Sequence, residues 1–388
     1  MDRRSLLKAL AAAPLAASLP AFAQSPAADG KLLILVFLYG GNDAYNTWIP
    51  YANETYYRVR PTIAVPRDAV LKVTNSHGFN PSLASLMPMW EAKELALVQG
   101  IGYPQVTQQH YRDGEIAFTA NDEALLKEGW VTRALSRKAP SAGVADAVAF
   151  GELDIRESDP MGPFRGDKLG VVQVHYAHEL LAKRRIPDCV LETNTRGKER
   201  AAKATAAIPS PALKTKFPTD PFGQSVRMAV ELAAADRALP VIHLTLNGLD
   251  GDKHHSVDCH WEQAKWHGDA LKRLAEGFAA LRSGLMEVGR WNDTIVATYD
   301  EFGRSPMENE DKGTHHGLAS THFVMGGRVA GGLIGEATPF RKFYPTVGGL
   351  DPTIDTRRLW ATVTQNWWGV EGRDVFGSRH KPLDLLRA

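Results

Sequence analysis

The stretch Leu32-Leu33-Ile34-Leu35-Val36-Phe37-Leu38, closed by Tyr39-Gly40-Gly41-Asn42-Asp43, decides how the rest of the chain is read. Seven consecutive apolar residues without alternation mark a strand buried on both faces, as in a parallel sheet covered by helices. The Gly-Gly-Asn-Asp cluster ends the run as a turn and sets Asp43 at the strand's carboxyl end. Residues 95–100, 241–246, 294–299 and 321–325 are further short apolar runs, with polar residues or glycines following them. Between the third and fourth strands, Leu271, Leu274, Phe278, Leu281, Leu285 and Val288 recur at three- and four-residue spacing, the apolar stripe of one helix. Strand, helix, strand makes a βαβ unit, with a parallel pair and a right-handed crossover. The expectation is an α/β fold around a large central sheet. Ligand-binding groups in such folds gather in the loops at the carboxyl ends of the strands.

Composition narrows the classes. The 388 residues carry 45 Lys+Arg against 44 Asp+Glu, a balance that argues against binding nucleic acid through bulk charge. A hydrophobic content of 44% and 9 Trp exclude a disordered chain. Two cysteines cannot build a disulfide scaffold or a four-thiolate zinc site. Residues 1–23 have a charged start, Met1-Asp2-Arg3-Arg4-Ser5-Leu6-Leu7-Lys8, then an Ala/Leu-rich run to Ala21-Phe22-Ala23. These are the parts of an export signal, and the arginine pair resembles the twin-arginine type, whose machinery would be a partner. An ordinary secretory signal is the alternative. The apolar stretch is shorter than the ~20 residues needed to span a bilayer, and no later segment is long and apolar enough. Residues 24–388 are then expected to form one periplasmic or secreted domain, with 42 bases against 43 acids. Residues 190–220, rich in Lys, Arg, Ala, Thr and Pro, read as a surface excursion.

Metal-capable side chains crowd the strand ends. They are Asp43, the stretch from Asp250 to His260, Asp300-Glu301-Phe302-Gly303-Arg304, and Gly313-Thr314-His315-His316-Gly317. Eight of the 13 histidines lie between His243 and His322. Oxygen and imidazole ligands together suit zinc, manganese or iron rather than a structural thiolate site. Loop histidines and acids with no ligand are the bland reading of any one of these segments.

The segments Val36 to Asn46, Asp258-Cys259-His260-Trp261-Glu262-Gln263, Glu301-Phe302-Gly303-Arg304 and Gly313 to Gly317 also occur in the order of a known family. The sequence resembles the domain-of-unknown-function family 1501, exported bacterial proteins of the alkaline phosphatase-like superfamily. Asp355-Thr356-Arg357-Arg358 is similar to that family's closing pattern. The resemblance implies an alkaline phosphatase-like three-layer sandwich with a mostly parallel sheet. It implies Asp43, Asp258, His260, Glu301 and His316 as ligands of one or two divalent ions, zinc, manganese or calcium. The implied activity is metal-dependent hydrolysis of a phosphate or sulfate ester, small or polymeric. Arg304 would neutralise an anionic oxygen of that substrate, or else form a structural ion pair.

The chain departs from the family pattern where the superfamily places its hydroxyl nucleophile. Gln109-His110-Tyr111 stands in place of Ser-His-Phe. Glutamine cannot attack, which leaves Thr107 or a water, with His110 orienting an anion or a ligand. The alternative is a non-catalytic exported metal-binding or assembly protein on the same fold. His315 replaces the family's usual Asp and reads either as an added ligand or as a loop residue. His254 and His255 read as extra ligands or as exposed residues, and His267 as lying on the polar side of its helix. Spacing does not say whether Cys189 and Cys259 pair. Trp360, Trp367 and Trp368 read as packing a C-terminal helix onto the sheet, or as a carbohydrate platform.

Overall fold

In the computed structural model β1 (Leu32–Leu38) is buried over its whole length, and its side chains divide between two apolar layers. Leu32, Ile34, Val36 and Leu38 enter one core, and Leu33, Leu35 and Phe37 enter the other. This two-sided burial is why the segment reads as continuous rather than alternating hydrophobicity. The structure describes residues 30–122, 127–151, 161–174, 176–203, 208–246, 257–337 and 349–387. Residues 1–23, where an export signal is expected, and the segment holding His254 and His255 lie outside the described residues.

The remaining strands in chain order are β2 (Trp48–Ile49), β3 (Leu71–Lys72), β4 (Gly78–Phe79), β5 (Leu95–Gly102), β6 (Ala147–Phe150), β7 (Val171–Val174), β8 (Val190–Thr193), β9 (Val241–Leu246), β10 (Thr294–Tyr299), β11 (Ser320–Met325), β12 (Gly332–Ile334) and β13 (Ile354–Asp355). The main sheet has the order β12-β5-β11-β10-β1-β9-β6-β7-β8, with β13 also paired to β5. Strands β10, β1, β9, β6 and β7 are parallel neighbours, while β11 runs antiparallel between β10 and β5, and β8 is antiparallel to β7. Strands β2, β4 and β3 make a small antiparallel sheet.

The helices that matter for the site are α1 (Ala44–Thr47), α2 (His110–Thr119), α3 (Pro221–Ala235), α4 (Gln263–Glu287) and α5 (Thr356–Ala361). Helix α4 carries the expected stripe, and its Leu271, Leu274, Phe278, Leu281 and Leu285 join α3 in the core on one face of the sheet. Helices α2 and α5 contribute Ile116, Phe118, Leu359 and Trp360 to the core on the other. The result is a three-layer α/β sandwich around a large, mostly parallel sheet.

Three details differ from the sequence reading. The βαβ unit β9–α4–β10 is parallel, but its strands are not neighbours, because β1 pairs with both and fills the space between them. Residues 321–325 lie in an antiparallel strand, which apolarity alone does not distinguish from a parallel one. Residues 190–203, inside the expected surface excursion, instead carry edge strand β8 and a helix at Thr195–Lys203. The C-terminal tryptophans pack as structural groups. Trp360 stacks on Trp130 at 4.7 Å and donates its indole N–H to the Tyr103 hydroxyl at 3.0 Å, and Trp367 is buried. No disulfide joins the two cysteines, whose side chains are both buried. Among the described residues no helix is long and apolar enough to cross a membrane.

Three imidazoles are sealed inside this sandwich. His243 on β9 faces the Tyr299 hydroxyl at 2.7 Å, His267 on α4 faces the Asn42 side-chain oxygen at 3.0 Å, and His322 on β11 lies 3.5 Å from Asp300. Burial disfavours the imidazolium and pushes their pKa values down to about 3, about 4 and about 3 respectively. The unfolded chain takes up a proton at each near pH ~6.5, where the folded chain does not. Their contribution is therefore complete above that pH and is lost progressively as pH falls toward 4. Each histidine should steepen the fall in unfolding free energy by about 1.4 kcal/mol per pH unit. Denaturant unfolding between pH 7 and 4.5 should show His243→Leu with a slope shallower by about one proton's worth. An unchanged slope would count against a neutral, buried His243.

Candidate metal centre

Three chain segments meet at the carboxyl end of β1. The loop after β1 turns through Gly40 and Gly41 with φ of 99° and 83°, a left-handed region that favours glycine. A Cβ on Gly40 would sit 2.2 Å from the Asp258 Cβ, and one on Gly41 would sit 2.6 Å from the Phe302 ring. The absence of side chains at these two positions lets the loop before α4 and the loop after β10 close onto β1. The Gly40 N–H then donates to both carboxylate oxygens of Glu301, each at 3.1 Å.

The Asp258 carboxylate is the hub of what gathers there. Its Oδ1 lies 3.0 Å from His260 Nε2 and 3.4 Å from His316 Nε2, and its Oδ2 lies 3.6 Å from His110 Nε2. The His260 and His316 Nε2 atoms face each other at 3.0 Å. Ligand atoms of His110, Asp258 and His316 fall within 4.8 Å of one another. Around a tetrahedral ion with bonds of about 2.0 Å, donor atoms stand ~3.3 Å apart. The four short separations in this cluster bracket that value. All four side chains are partly open to solvent, so the cluster has an entry path.

Hydrogen bonds at the far side of two rings decide which nitrogen faces inward. His316 Nδ1 lies 2.8 Å from the Gln108 carbonyl, and a carbonyl can only accept, so Nδ1 carries the proton and Nε2 presents a lone pair to the cluster. His110 Nδ1 lies 3.0 Å from Glu301 Oε1, which orients that ring in the same way. The rings are held by aromatic neighbours as well. Phe302 stacks on His316 at 4.2 Å, and Tyr39 stacks on His110 at 5.7 Å. Two lone pairs and a carboxylate pointed at one another repel unless a proton or a cation lies between them. Burial alone would lower the His110 pKa, but its contacts with Asp258 and Glu301 outweigh that and push it up to about 9. Asp258 is likewise held far below the usual carboxylate range, the three histidines and Arg304 outweighing its burial. A proton on His110 and a metal ion are competing ways to satisfy the same cluster.

Of the residues singled out in the sequence, Asp258, His260, Glu301, His316 and His110 are brought together. Glu301 stands behind His110 as its hydrogen-bond partner. Asp43 is not brought in. Its carboxylate is 1% exposed, accepts two hydrogen bonds from Arg60 at 2.6 and 3.1 Å and another from Gln263, and caps α1 through Tyr45 N–H at 3.0 Å. Although burial raises its pKa, the Arg60 charge more than compensates and lowers it. With its oxygens committed to a guanidinium, Asp43 is a structural anion. Thr107 is also left out, because its hydroxyl donates to Asp113 at 3.0 Å and makes no contact with the cluster. Arg304 takes the structural role. It is buried, donates to the carbonyls of Gly40, Gly41 (3.1 Å) and Thr314 (3.0 Å), and pairs with Asp258. His315 is exposed, with its ring 6.5 Å from that of His260. His267 points inward rather than to the polar side of α4.

Two positioning residues escaped the sequence reading. Arg60 has no local motif, and only the fold puts it against Asp43. Asp113 accepts from the Thr107 N–H (2.7 Å) and the Gln109 N–H (3.0 Å), which shapes the loop that offers the Gln108 carbonyl to His316. Its place one helical turn after Gln109 was the available signal.

Residues 188–375 match the family model described as Protein of unknown function (DUF1501). The matched region holds Asp258, His260, Glu301 and His316, whereas His110 lies before it. No curated protein matches the chain. Among solved structures, the chain is similar to the lipoteichoic acid synthase LtaP from Listeria monocytogenes at 11% identity, covering 92% of this chain and 76% of that one, with a TM-score of 0.42. It is similar to the C-terminal periplasmic domain of EcEptC from Escherichia coli, solved in complex with Zn, at 9% identity, 90% and 84% coverage and a TM-score of 0.43. A protein in the alkaline phosphatase superfamily from Vibrio parahaemolyticus matches at 9% identity, 86% and 65% coverage and a TM-score of 0.39.

The close approach at Gly40 gives a direct test of the site's construction. Gly40→Ala adds a Cβ to a left-handed residue and drives it into Asp258, which should cost about 3 kcal/mol or more of stability. Thermal unfolding of that variant should also lose any metal-dependent shift seen in the parent protein. A variant of unchanged stability and metal response would show that Gly40 does not control the approach of Asp258.

Proposed function

We propose that the protein is an exported metal-dependent hydrolase of phosphate or sulfate esters. The observation that carries this reading is the convergence, at the carboxyl ends of β5 and β9 and the start of β11, of His110, Asp258 and His316, whose ligand atoms lie within 4.8 Å of one another, with His260 Nε2 3.0 Å from both Asp258 and His316. His110, Asp258, His260 and His316 would hold one divalent ion, and zinc suits three imidazoles with one carboxylate. Glu301 and the Gln108 carbonyl would fix the two rings behind them. The ion supplies Lewis-acid polarisation of the ester oxygen and stabilisation of the charge that develops there. The Thr107 hydroxyl is held by Asp113, so water is the nucleophile this reading favours. The twin-arginine-type signal in residues 1–23 supports a periplasmic or secreted location, reached through the twin-arginine machinery.

The competing reading, a non-catalytic metal-binding or assembly protein, is favoured by Gln109 standing at the nucleophile position and by the Arg304–Asp258 contact. Elemental analysis and zinc titration of the purified protein, together with hydrolysis of aryl phosphate and aryl sulfate esters, separate the two. The expected result is about one zinc per chain and metal-dependent turnover. His316→Ala and Asp258→Asn should each weaken zinc binding by a factor of about ten or more. Full zinc occupancy in the double variant would remove the metal centre from this cluster. Zinc bound without turnover on either ester class would leave the binding protein as the reading.

A further inference from the structure

At the opposite, amino-terminal end of the sheet a cavity of about 950 Å³ opens beneath the starts of β1, β6, β7 and β9. Among the described residues its lining carries Lys31, Lys138, Lys168, Arg196, Arg200 and Arg237 against two acids, Asp146 and Glu199. Some of this charge is answered: Arg200 pairs with Asp146 at 2.6 Å, Lys168 with Glu128 at 2.7 Å and Arg237 with Asp293 at 2.8 Å. Among the described residues, Lys31 and Arg196 have no carboxylate in ion-pair range. Arg196 donates to a carbonyl and Lys31 sits over the Trp367 ring.

The decisive group lies behind this lining. Arg290, just before β10, is fully buried, and among the described residues none of its three guanidinium nitrogens has a hydrogen-bond partner. A buried guanidinium without a partner is costly, and structures rarely leave one so. Its Nη1 lies 3.7 Å from where a Cβ on Gly30 would stand, and Arg237 Nη2 lies 4.0 Å from the same point. Gly30 and Arg237 line the cavity, and the Arg290 and Arg237 guanidinium heads converge on the side-chain face of Gly30. Burial and the neighbouring Arg237 lower the Arg290 pKa to about 10, against the opposing pull of Asp293 and Asp236, neither of which reaches ion-pair distance.

We propose that this cavity binds an oligoanion, a molecule carrying two or more phosphate or sulfate groups, one of which reaches Arg290 and Arg237 past Gly30 while the others meet Lys31 and Arg196. Guanidinium suits such groups because its planar fork pairs two oxygens at once. The volume is that of a ligand pocket, larger than a single phosphate requires. The site lies at the other end of the strands from the metal cluster, so its occupant is distinct from the ester placed there.

Isothermal titration and thermal unfolding of the full chain with tripolyphosphate, in EDTA and with inorganic phosphate in parallel, test this. Tripolyphosphate should bind at least tenfold more tightly than phosphate and raise the unfolding temperature. Arg290→Met should weaken it by a factor of ten or more, and Arg237→Gln does the same duty should the first variant fail to fold. Asp258→Asn should bind it as the parent does. Tripolyphosphate binding unchanged in both arginine variants, abolished by Asp258→Asn, or absent from the parent protein would overturn the proposal.

Discussion

The guanidinium of Arg304 holds three separate parts of the chain in register. It donates to carbonyls of the loop after β1 and of the loop before β11, and pairs with the carboxylate that opens the run into α4. Each contact comes from a different strand end, so one buried cation replaces the covalent links that a small domain would use at such a junction. Its charge is neutralised by Asp258, and Asp258 is thereby fixed where three histidines can address it. Arg304 is buried while Asp258 is partly open to solvent, so the pair adds little net stability, but removing the carboxylate would strand a buried cation at a cost of ~3–5 kcal/mol. Its value lies in geometry rather than in strength.

A second buried pair, Arg60 with Asp43, performs the same service one layer deeper. It caps α1, accepts the amide of Gln263 at the start of α4, and is flanked by the rings of Tyr45 and Tyr56. The two pairs divide the acids at the strand ends into those that build the frame and the one that faces open space. Glu301 belongs to the frame as well, since its oxygens receive the Gly40 amide and the His110 ring.

The sheet was legible because its central strands are buried on both faces, and an unbroken apolar run leaves little else to predict. Strand direction was not legible: β11 is buried over its whole length like the parallel strands of the sheet, and nothing in its residues marks it as antiparallel to both of its neighbours. The site was legible as a set of residues and not as a set of roles. Asp43 and Asp258 look alike in sequence, each an acid in a polar loop near a strand end, and each meets an arginine from elsewhere in the chain; what separates them is that Asp43 is sealed with both oxygens on Arg60, whereas Asp258 stays partly exposed among three histidines. The Gln108 carbonyl could not be read at all, because a backbone atom leaves no trace in residue identity.

The two thiols carry a consequence for where this chain can acquire its structure. Cys189 and Cys259 are buried and unlinked, and burial pushes the Cys259 thiol up to about 12, so its nucleophilic thiolate is scarce at neutral pH. The frame around Cys259 is held by the Arg304–Asp258 pair, by the Thr314 N–H that donates to the Cys259 carbonyl at 3.0 Å, and by the close approach of Gly40 to Asp258. Neither thiol has to be oxidised for these contacts to form.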